Sequence, residues 1–415
     1  MAQASLRARG ARDSRRAVTL SVVVAALGYF VDIYDLLLFS IVRIPSLRSL
    51  GLSGDELLVA GERLLNMQMS GMLLGGLLWG VLGDRRGRLS VLFGSIFMYS
   101  AANMANAWVQ SVEAYAWLRF IAGIGLAGEL GAGITLVSEI MPKETRGYGT
   151  TIVAATGILG AVVAALVGDL FEWRVSYIIG GVMGFALLAL RIGVYESGMF
   201  ESVKQIGTSR GNVLQLFNTW ERARKYVAVI LIGVPIWYVI GILITFSPEI
   251  GLALGMTEAP SAGRAVLFAY LGLAVGDLAS GVLSQYIGSR RRVVLLFQLI
   301  TAGFVAVYFF LAPFTLPAFY ALCSALGFGA GYWAVFVTVA SEQFGTNIRA
   351  TATTTVPNVV RGSVVLLTSS VGLLRPHVGV VQSALIVGLV SLAIALTALS
   401  GLEETFGKDL DYVER

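Results

Sequence analysis

One cysteine, Cys323, and one histidine, His377, stand among 415 residues. A single thiol rules out an intrachain disulfide and thiol metal clusters. A single imidazole, placed near the outer end of the eleventh and twelfth apolar segments, leaves carboxylates to carry any proton that moves. Charge is scarce, at 13 % of residues. The phosphate-loop pattern Gly-x-x-x-x-Gly-Lys is missing, so hydrolysis of ATP is not expected as an energy source. The chain is therefore not expected to be an enzyme or to hold a cofactor or metal.

Apolar sequence is abundant: 56 % of residues are hydrophobic and mean hydropathy is +0.79, far from the composition of soluble domains. Segments long enough to cross a bilayer lie at about 17–42, 64–83, 90–108, 112–138, 147–170 and 174–194,. A second set follows at about 226–248, 264–287, 292–312, 315–340, 350–373 and 378–401,. These predict an all-α integral membrane protein of twelve transmembrane helices. The two sets share punctuation about 203 residues apart, the signature of an internal repeat,. Gly83-Asp84-Arg85-Arg86-Gly87-Arg88 has its counterpart in Ile287-Gly288-Ser289-Arg290-Arg291-Arg292, and Ser138-Glu139 with Arg146 recurs as Ser341-Glu342 with Arg349. Two pseudo-symmetric six-helix bundles facing each other, the plan of many secondary transporters, are expected at 17–194 and 226–401. Residues 1–16, 195–225 and 402–415 read as a cytoplasmic N-terminal segment, a cytoplasmic connector and a cytoplasmic tail.

Lysine and arginine set the orientation, because cytoplasmic loops retain them. With both termini inside, that face receives Arg7 to Arg16, Arg85 to Arg88, Lys143, Arg146, the connector, Arg290 to Arg292 and Arg349. The other face receives Arg43, Arg48, Arg63, Arg174, Arg264 and Arg375, read as solvated or lipid-facing. This asymmetry accounts for the pI near 9.3 without any nucleic-acid partner. The first apolar run is too long for a cleaved signal peptide and reads as an uncleaved helix.

Charges inside the spans are the informative exceptions, since each costs about 2.5–3.5 kcal/mol at a helix centre. Asp32 and Asp35 on the first span, three residues apart and sharing a face, lie at a depth similar to Arg119 on the fourth, with Glu129 further along. These four are the proton-coupling candidates, Arg119 serving as counter-ion for either aspartate. A static ion pair that only fixes packing is the alternative.

The asymmetry between the repeats points to the binding site. Asp32, Asp35, Arg119 and Glu129 align with Pro235, Tyr238, Leu322 and Tyr332, so the first half keeps charge while the second offers aromatics. Tyr34, Trp237, Tyr238, Tyr332, Trp333, Asn358 and Arg361 are the substrate-binding candidates, Arg361 lying near the midplane where a guanidinium can hold a carboxylate bidentately. Arg361 could instead neutralise Asp277 on the eighth span, leaving room for a zwitterion or neutral solute. At the cytoplasmic ends, Asp84 with Arg146, Glu139 with Arg88, and Glu342 with Arg290 to Arg292, together with Arg349, are candidate gating latches that form in one state and break in another.

Gly80-Val81-Leu82-Gly83-Asp84-Arg85-Arg86-Gly87-Arg88 resembles the signature loop between the second and third helices of the major facilitator superfamily. Arg119 through Glu129 and Pro142-Lys143-Glu144-Thr145-Arg146-Gly147 resemble the fourth helix and following loop of its sugar-porter and metabolite:proton symporter branches. Asp32-Ile33-Tyr34-Asp35 and Glu196 through Phe200 are similar to the latter branch. The resemblance implies a monomeric rocker-switch symporter in which the acid and arginine of the first and fourth helices take part in proton coupling. The expectation is a proton-coupled importer of a small carboxylate or zwitterion in a bacterial-type inner membrane, driven by the proton gradient. Proton-driven export of a drug or siderophore-like compound, or solute sensing without transport, are the alternatives.

Overall fold

The computed structural model describes residues 2–86, 88–129, 146–196 and 216–407. Its first half contains α1 (Ala2–Ser49), α2 (Gly54–Arg86), α3 (Arg88–Asn106), α4 (Val112–Leu126), α5 (Arg146–Leu170) and α6 (Trp173–Glu196). The second contains α7 (Trp220–Tyr238), which continues as a π-helix over Val239–Ile244, then the short α8 (Ser247–Ala253). There follow α9 (Ala262–Ile287), α10 (Arg290–Phe310), α11 (Leu316–Ala330), α12 (Trp333–Glu342) and α13 (Thr346–Ser400).

Local chemistry sets many of these boundaries. Ser111, Thr219, Ser261 and Ser289 lie in extended backbone, and their hydroxyls accept from the amides of Ala114, Arg222, Arg264 and Arg292, capping α4, α7, α9 and α10,. Gly288 ends α9 at φ 65°, a left-handed conformation that glycine adopts without a Cβ penalty. Gly379, at φ 81° and ψ 169°, separates the eleventh span from the twelfth inside α13. The tenth span is broken at Gly331 and Tyr332, between α11 and α12.

Among the described residues, seven helices are long and apolar enough to cross a membrane, one running 50 residues from Thr351 to Ser400. Leu74, Val282, Leu366 and Leu373 are more than half exposed on the outer surface, as a lipid-facing surface requires.

Packing repeats between the halves. In the first, α1 lies against α5 and α6, and α2 against α4; in the second, α7 lies against α13, and α9 against α11. The α2–α4 and α9–α11 contacts share one device. A Cβ on Gly71 or Gly123 would strike the carbonyl oxygen of Phe120 or Gln68, and one on Gly272 or Gly327 that of Ser324 or Ala269. Small residues let these backbones touch, which supplies the packing that membrane helices need in place of a hydrophobic drive. The halves meet along a seam formed by α2 with α13, and α5 and α1 with α9.

Candidate functional site

Arg361, on α13, is 1 % exposed and sits at the seam. Its guanidinium carbon lies 6.0 Å from the Trp237 ring and 5.8 Å from the Trp333 ring, within cation–π reach. Its nearest anion is on the other half: Nη1 is 3.7 Å from Asp32 Oδ2, close enough for charge attraction and too long for a hydrogen bond. Arg361 Nε and Nη1, both Asp32 carboxylate oxygens and Trp237 Nε1 are buried without a hydrogen bond. One turn before Arg361, Asn358 Nδ2 donates across the seam to the Ala127 carbonyl at 3.1 Å. Three candidates, Trp237, Trp333 and Arg361, thus surround one point, with Asn358 alongside.

The other predicted binding residues are committed elsewhere. The hydroxyl of Tyr34 donates to the Ser176 carbonyl at 2.9 Å, that of Tyr238 to Ala384 at 2.9 Å, and that of Tyr332 to Ile232 at 2.8 Å. All three rings are fully buried, each tying a helix to a neighbour in its own half. Asp277, the residue that could have neutralised Arg361, instead accepts from the Ala334 amide at 3.1 Å. It supplies an N-terminal cap to α12 from the neighbouring α9, a task that the backbone break at Gly331 and Tyr332 creates.

The proton-coupling candidates divide into three environments. Asp35 is completely buried, packed against Gly180 of α6, with Arg119 the opposing charge. Arg119 Nη1 donates to Asn103 Oδ1 at 3.1 Å, and its guanidinium carbon lies 5.4 Å from the Phe39 ring and 5.6 Å from the Tyr177 ring. The Tyr177 and Tyr115 hydroxyls, 2.7 Å apart, extend this polar cluster towards Ser46. Asp32 faces Arg361. Glu129 forms a bidentate ion pair with Arg191 of α6, both groups buried over Gly28 of α1. Arg119 is thus shared with Asp35 and not with Asp32.

Sequence reasoning missed the charges that join the halves near the C-terminal end of α1. Arg43, assigned to a solvated or lipid-facing position, is completely buried. Its guanidinium lies 2.7 Å from Glu249, donates to the Thr245 carbonyl at 3.2 Å, and stacks over Phe246 at 4.6 Å. Arg375 pairs with Glu62 at 2.9 Å and Arg264 approaches Asp169 at 3.7 Å. Thr368 donates to Asn66, and Thr245 to Ser40 at 3.1 Å, on the same side. The available signal was Arg43 itself, set in the apolar context Ser40-Ile41-Val42-Arg43-Ile44; its partner could not be read. Arg191, in Ala189-Leu190-Arg191-Ile192, carried the same signal.

At the opposite end, Glu342 lies 3.5 Å from Arg290 and accepts from the Thr405 hydroxyl at 2.7 Å. Glu404 accepts from the Ser289 hydroxyl and from the amides of Arg290, Arg291, Thr405 and Phe406. Partial burial raises its pKa, but these donors outweigh it and hold the carboxyl below its usual value of 4.5,. The gating candidates Asp84, Arg88, Glu139, Arg146 and Arg349 lie outside the residues whose side chains are described.

Known proteins agree with this architecture. The chain is 28 % identical to a probable 4-methylmuconolactone transporter of Cupriavidus pinatubonensis, covering 92 % of this chain and 89 % of the relative. It is 28 % identical to a putative niacin/nicotinamide transporter of Bacillus subtilis, over 80 % and 82 %. Identity to a 3-(3-hydroxy-phenyl)propionate transporter of Escherichia coli is 30 %, over 70 % and 72 %. The crystal structure of a D-xylose-proton symporter superposes with a TM-score of 0.70 at 18 % identity, covering 95 % of this chain and 100 % of that one, which is a likeness of fold. Residues 19–368 match the Major Facilitator Superfamily, and the chain, a multi-pass membrane protein of twelve helices built for secondary transport of a small organic solute, belongs to that family.

Proposed function

We propose that the protein is a proton-coupled symporter that imports a small ring-bearing carboxylate across a bacterial inner membrane, as a monomer with both termini in the cytoplasm. The observation that carries this reading is Arg361: a buried guanidinium between two indole rings at the seam of the halves. A guanidinium pairs with a carboxylate through two parallel charge-assisted hydrogen bonds, and indole faces bury a flat ring. A sugar would find few hydroxyl partners there. The relatives' named solutes, a methylmuconolactone, niacin or nicotinamide and a hydroxyphenylpropionate, all carry a ring and include acids, which supports this class.

Energy comes from the proton gradient, with no cofactor. Asp35, opposed by Arg119 and Asn103, is a proton site; Asp32 lies within its electrostatic surroundings, and Glu129 within those of Asp32. A carboxylate whose counter-ion is held by a third group changes its proton affinity when that geometry shifts or water enters. Arg43 with Glu249, Glu62 with Arg375, and Asp169 with Arg264 form the outer closure. Glu342 with Arg290, and Asp84, Arg88, Glu139, Arg146 and Arg349, form the inner latches. Alternation between the two sets of contacts gives alternating access.

The test is a proteoliposome assay that records external pH while ring carboxylates, amino-acid zwitterions and sugars are added outside. Alkalinisation with the ring carboxylates, lost in Asp35→Asn, is the expected result. Uptake without proton movement would overturn the coupling, and proton movement only with zwitterions or sugars would overturn the solute class.

A further inference from the structure

Asp32 is an odd neighbour for a site that is to receive an anion. It is the only carboxylate in an ion pair with Arg361 among the described residues, it comes from the opposite half of the molecule, and both groups are buried. The contact is poor as ion pairs go: 3.7 Å, with neither carboxylate oxygen hydrogen-bonded and with Nε and Nη1 of the guanidinium still unused. A fixed structural pair would be closer, as Glu129 is to Arg191. Arg361 is therefore compensated without being saturated, and its donors remain able to take a better acceptor.

We propose that Asp32 is a resident stand-in for the substrate carboxylate, holding Arg361 when the transporter is empty and yielding it when the solute binds. This inference rests on the reading of Arg361 as the carboxylate anchor. An incoming carboxylate reaches the guanidinium at hydrogen-bond distance, which the Asp32 contact does not. Asp32, losing its counter-ion in a dry site, then takes a proton from the medium, distinct from the one assigned to Asp35, so that the solute anion's charge is balanced and the buried site keeps its net charge. The groups facing Asp32 leave Arg361 as its cation. Tyr29 lies on its own helix and Asp35 one turn on; Tyr99 is on α3, Glu129 lies beyond α4 and Tyr270 is on α9, with Asp277 beyond it near Tyr29 and Tyr270. Glu129 is already paired with Arg191 and Asp277 with the α12 amides. Asp32 and Arg361 also span the seam from α1 to α13, so the empty transporter has its own bridge between the halves and need not carry an uncompensated buried cation through the cycle.

The experiment is the equilibrium binding of benzoate to purified full-length protein, read by titration calorimetry and by Trp fluorescence, across a range of pH. In Asp32→Asn the competitor is gone, and benzoate is expected to bind about tenfold more tightly than to wild type at alkaline pH. Wild-type affinity is expected to improve as pH falls, approaching that of the variant. Asp32→Glu, which keeps a carboxylate and guards against a folding defect, is expected to keep the wild-type pH dependence. Equal or weaker binding by Asp32→Asn overturns the stand-in, as does failure of wild type and variant alike to bind benzoate. Arg361→Gln separates the two levels: if it binds benzoate as wild type does, the anchor reading fails, whereas lost binding there with no tightening in Asp32→Asn removes only the stand-in.

Discussion

Asp32 and Asp35 lie three residues apart on one helix, both completely buried, yet they answer to different halves of the molecule. Asp32 meets Arg361 across the seam, and Asp35 faces Arg119 within its own bundle. At 3.6 residues per turn the two side chains diverge by about 60° around the helix axis. That is a small angle on a helical wheel, but α1 borders both its own bundle and α9 of the other, and 60° there separates one set of neighbours from another. Other charged groups divide the same way. Glu62 and Glu249 cross the seam to Arg375 and Arg43; Glu129, Asp277 and Glu404 stay within one half. Under the proposed alternating access, the seam-crossing pairs at the ends of the bundles separate when the halves rock, while internal ones can persist and serve stability.

That division can be broken or sharpened by substitution. The largest effect on folding belongs to an internal pair: Glu129→Ala leaves Arg191 buried and alone and is expected to destabilise the protein by about 3–5 kcal/mol, read as a lower melting temperature in detergent. An unchanged melting temperature with altered uptake would move Glu129 from the stability group to the moving one.

Arg43→Ala tests a pair on the other side of the division. Its expected effect is on conformation, a shift of about 3 kcal/mol towards opening of the end where Arg43 meets Glu249. Spin labels at Asp55→Cys and Glu258→Cys, exposed positions on the two halves, in a Cys323→Ser background, would report this as a longer distance. No lengthening would mean that this contact does not hold the closure.

Asp277→Ala removes a cap and is expected to cost about 1 kcal/mol, seen as a modest fall in melting temperature with solute affinity intact. A lost affinity would return Asp277 to the site around Arg361.

Glu404→Gln is the smallest, about 0.5 kcal/mol for a part-exposed group. Because the folded-state pKa of Glu404 is lowered, its contribution is full above its usual value of 4.5 and is lost as pH falls through the folded value,. The difference in melting temperature between variant and wild type should therefore be present at neutral pH and vanish in acid.

Much of this was legible in the residues. The repeat, the apolar segments and the isolated charges in them pointed to two bundles, to Asp32, Asp35, Arg119 and Glu129, and to Arg361 with Trp237 and Trp333. Partner choice was not. Arg119 could serve either aspartate on spacing alone, Arg361 could serve Asp277, and Arg43 looked like a surface charge because a single arginine near a helix end gives no hint of what packs over it. Tyr238 and Tyr332 align with charges of the other repeat, and Tyr34 stands between Asp32 and Asp35 in the sequence, which is what groups the three with the binding residues. Their hydroxyls instead satisfy backbone carbonyls, a local need that alignment between repeats cannot register.

Composition and periodicity determined that the chain lives in lipid, that it crosses as helices, and that a few costly charges would have to be paired or lie in a cavity. Those outcomes follow from one-dimensional facts: segment length against bilayer thickness, and the expense of a charge in hydrocarbon. Which acid meets which base was decided only by the tertiary structure. Ion pairing acts over a few ångströms, and residues as distant in sequence as Asp32 and Arg361 come within that range only when two bundles close along a particular seam,.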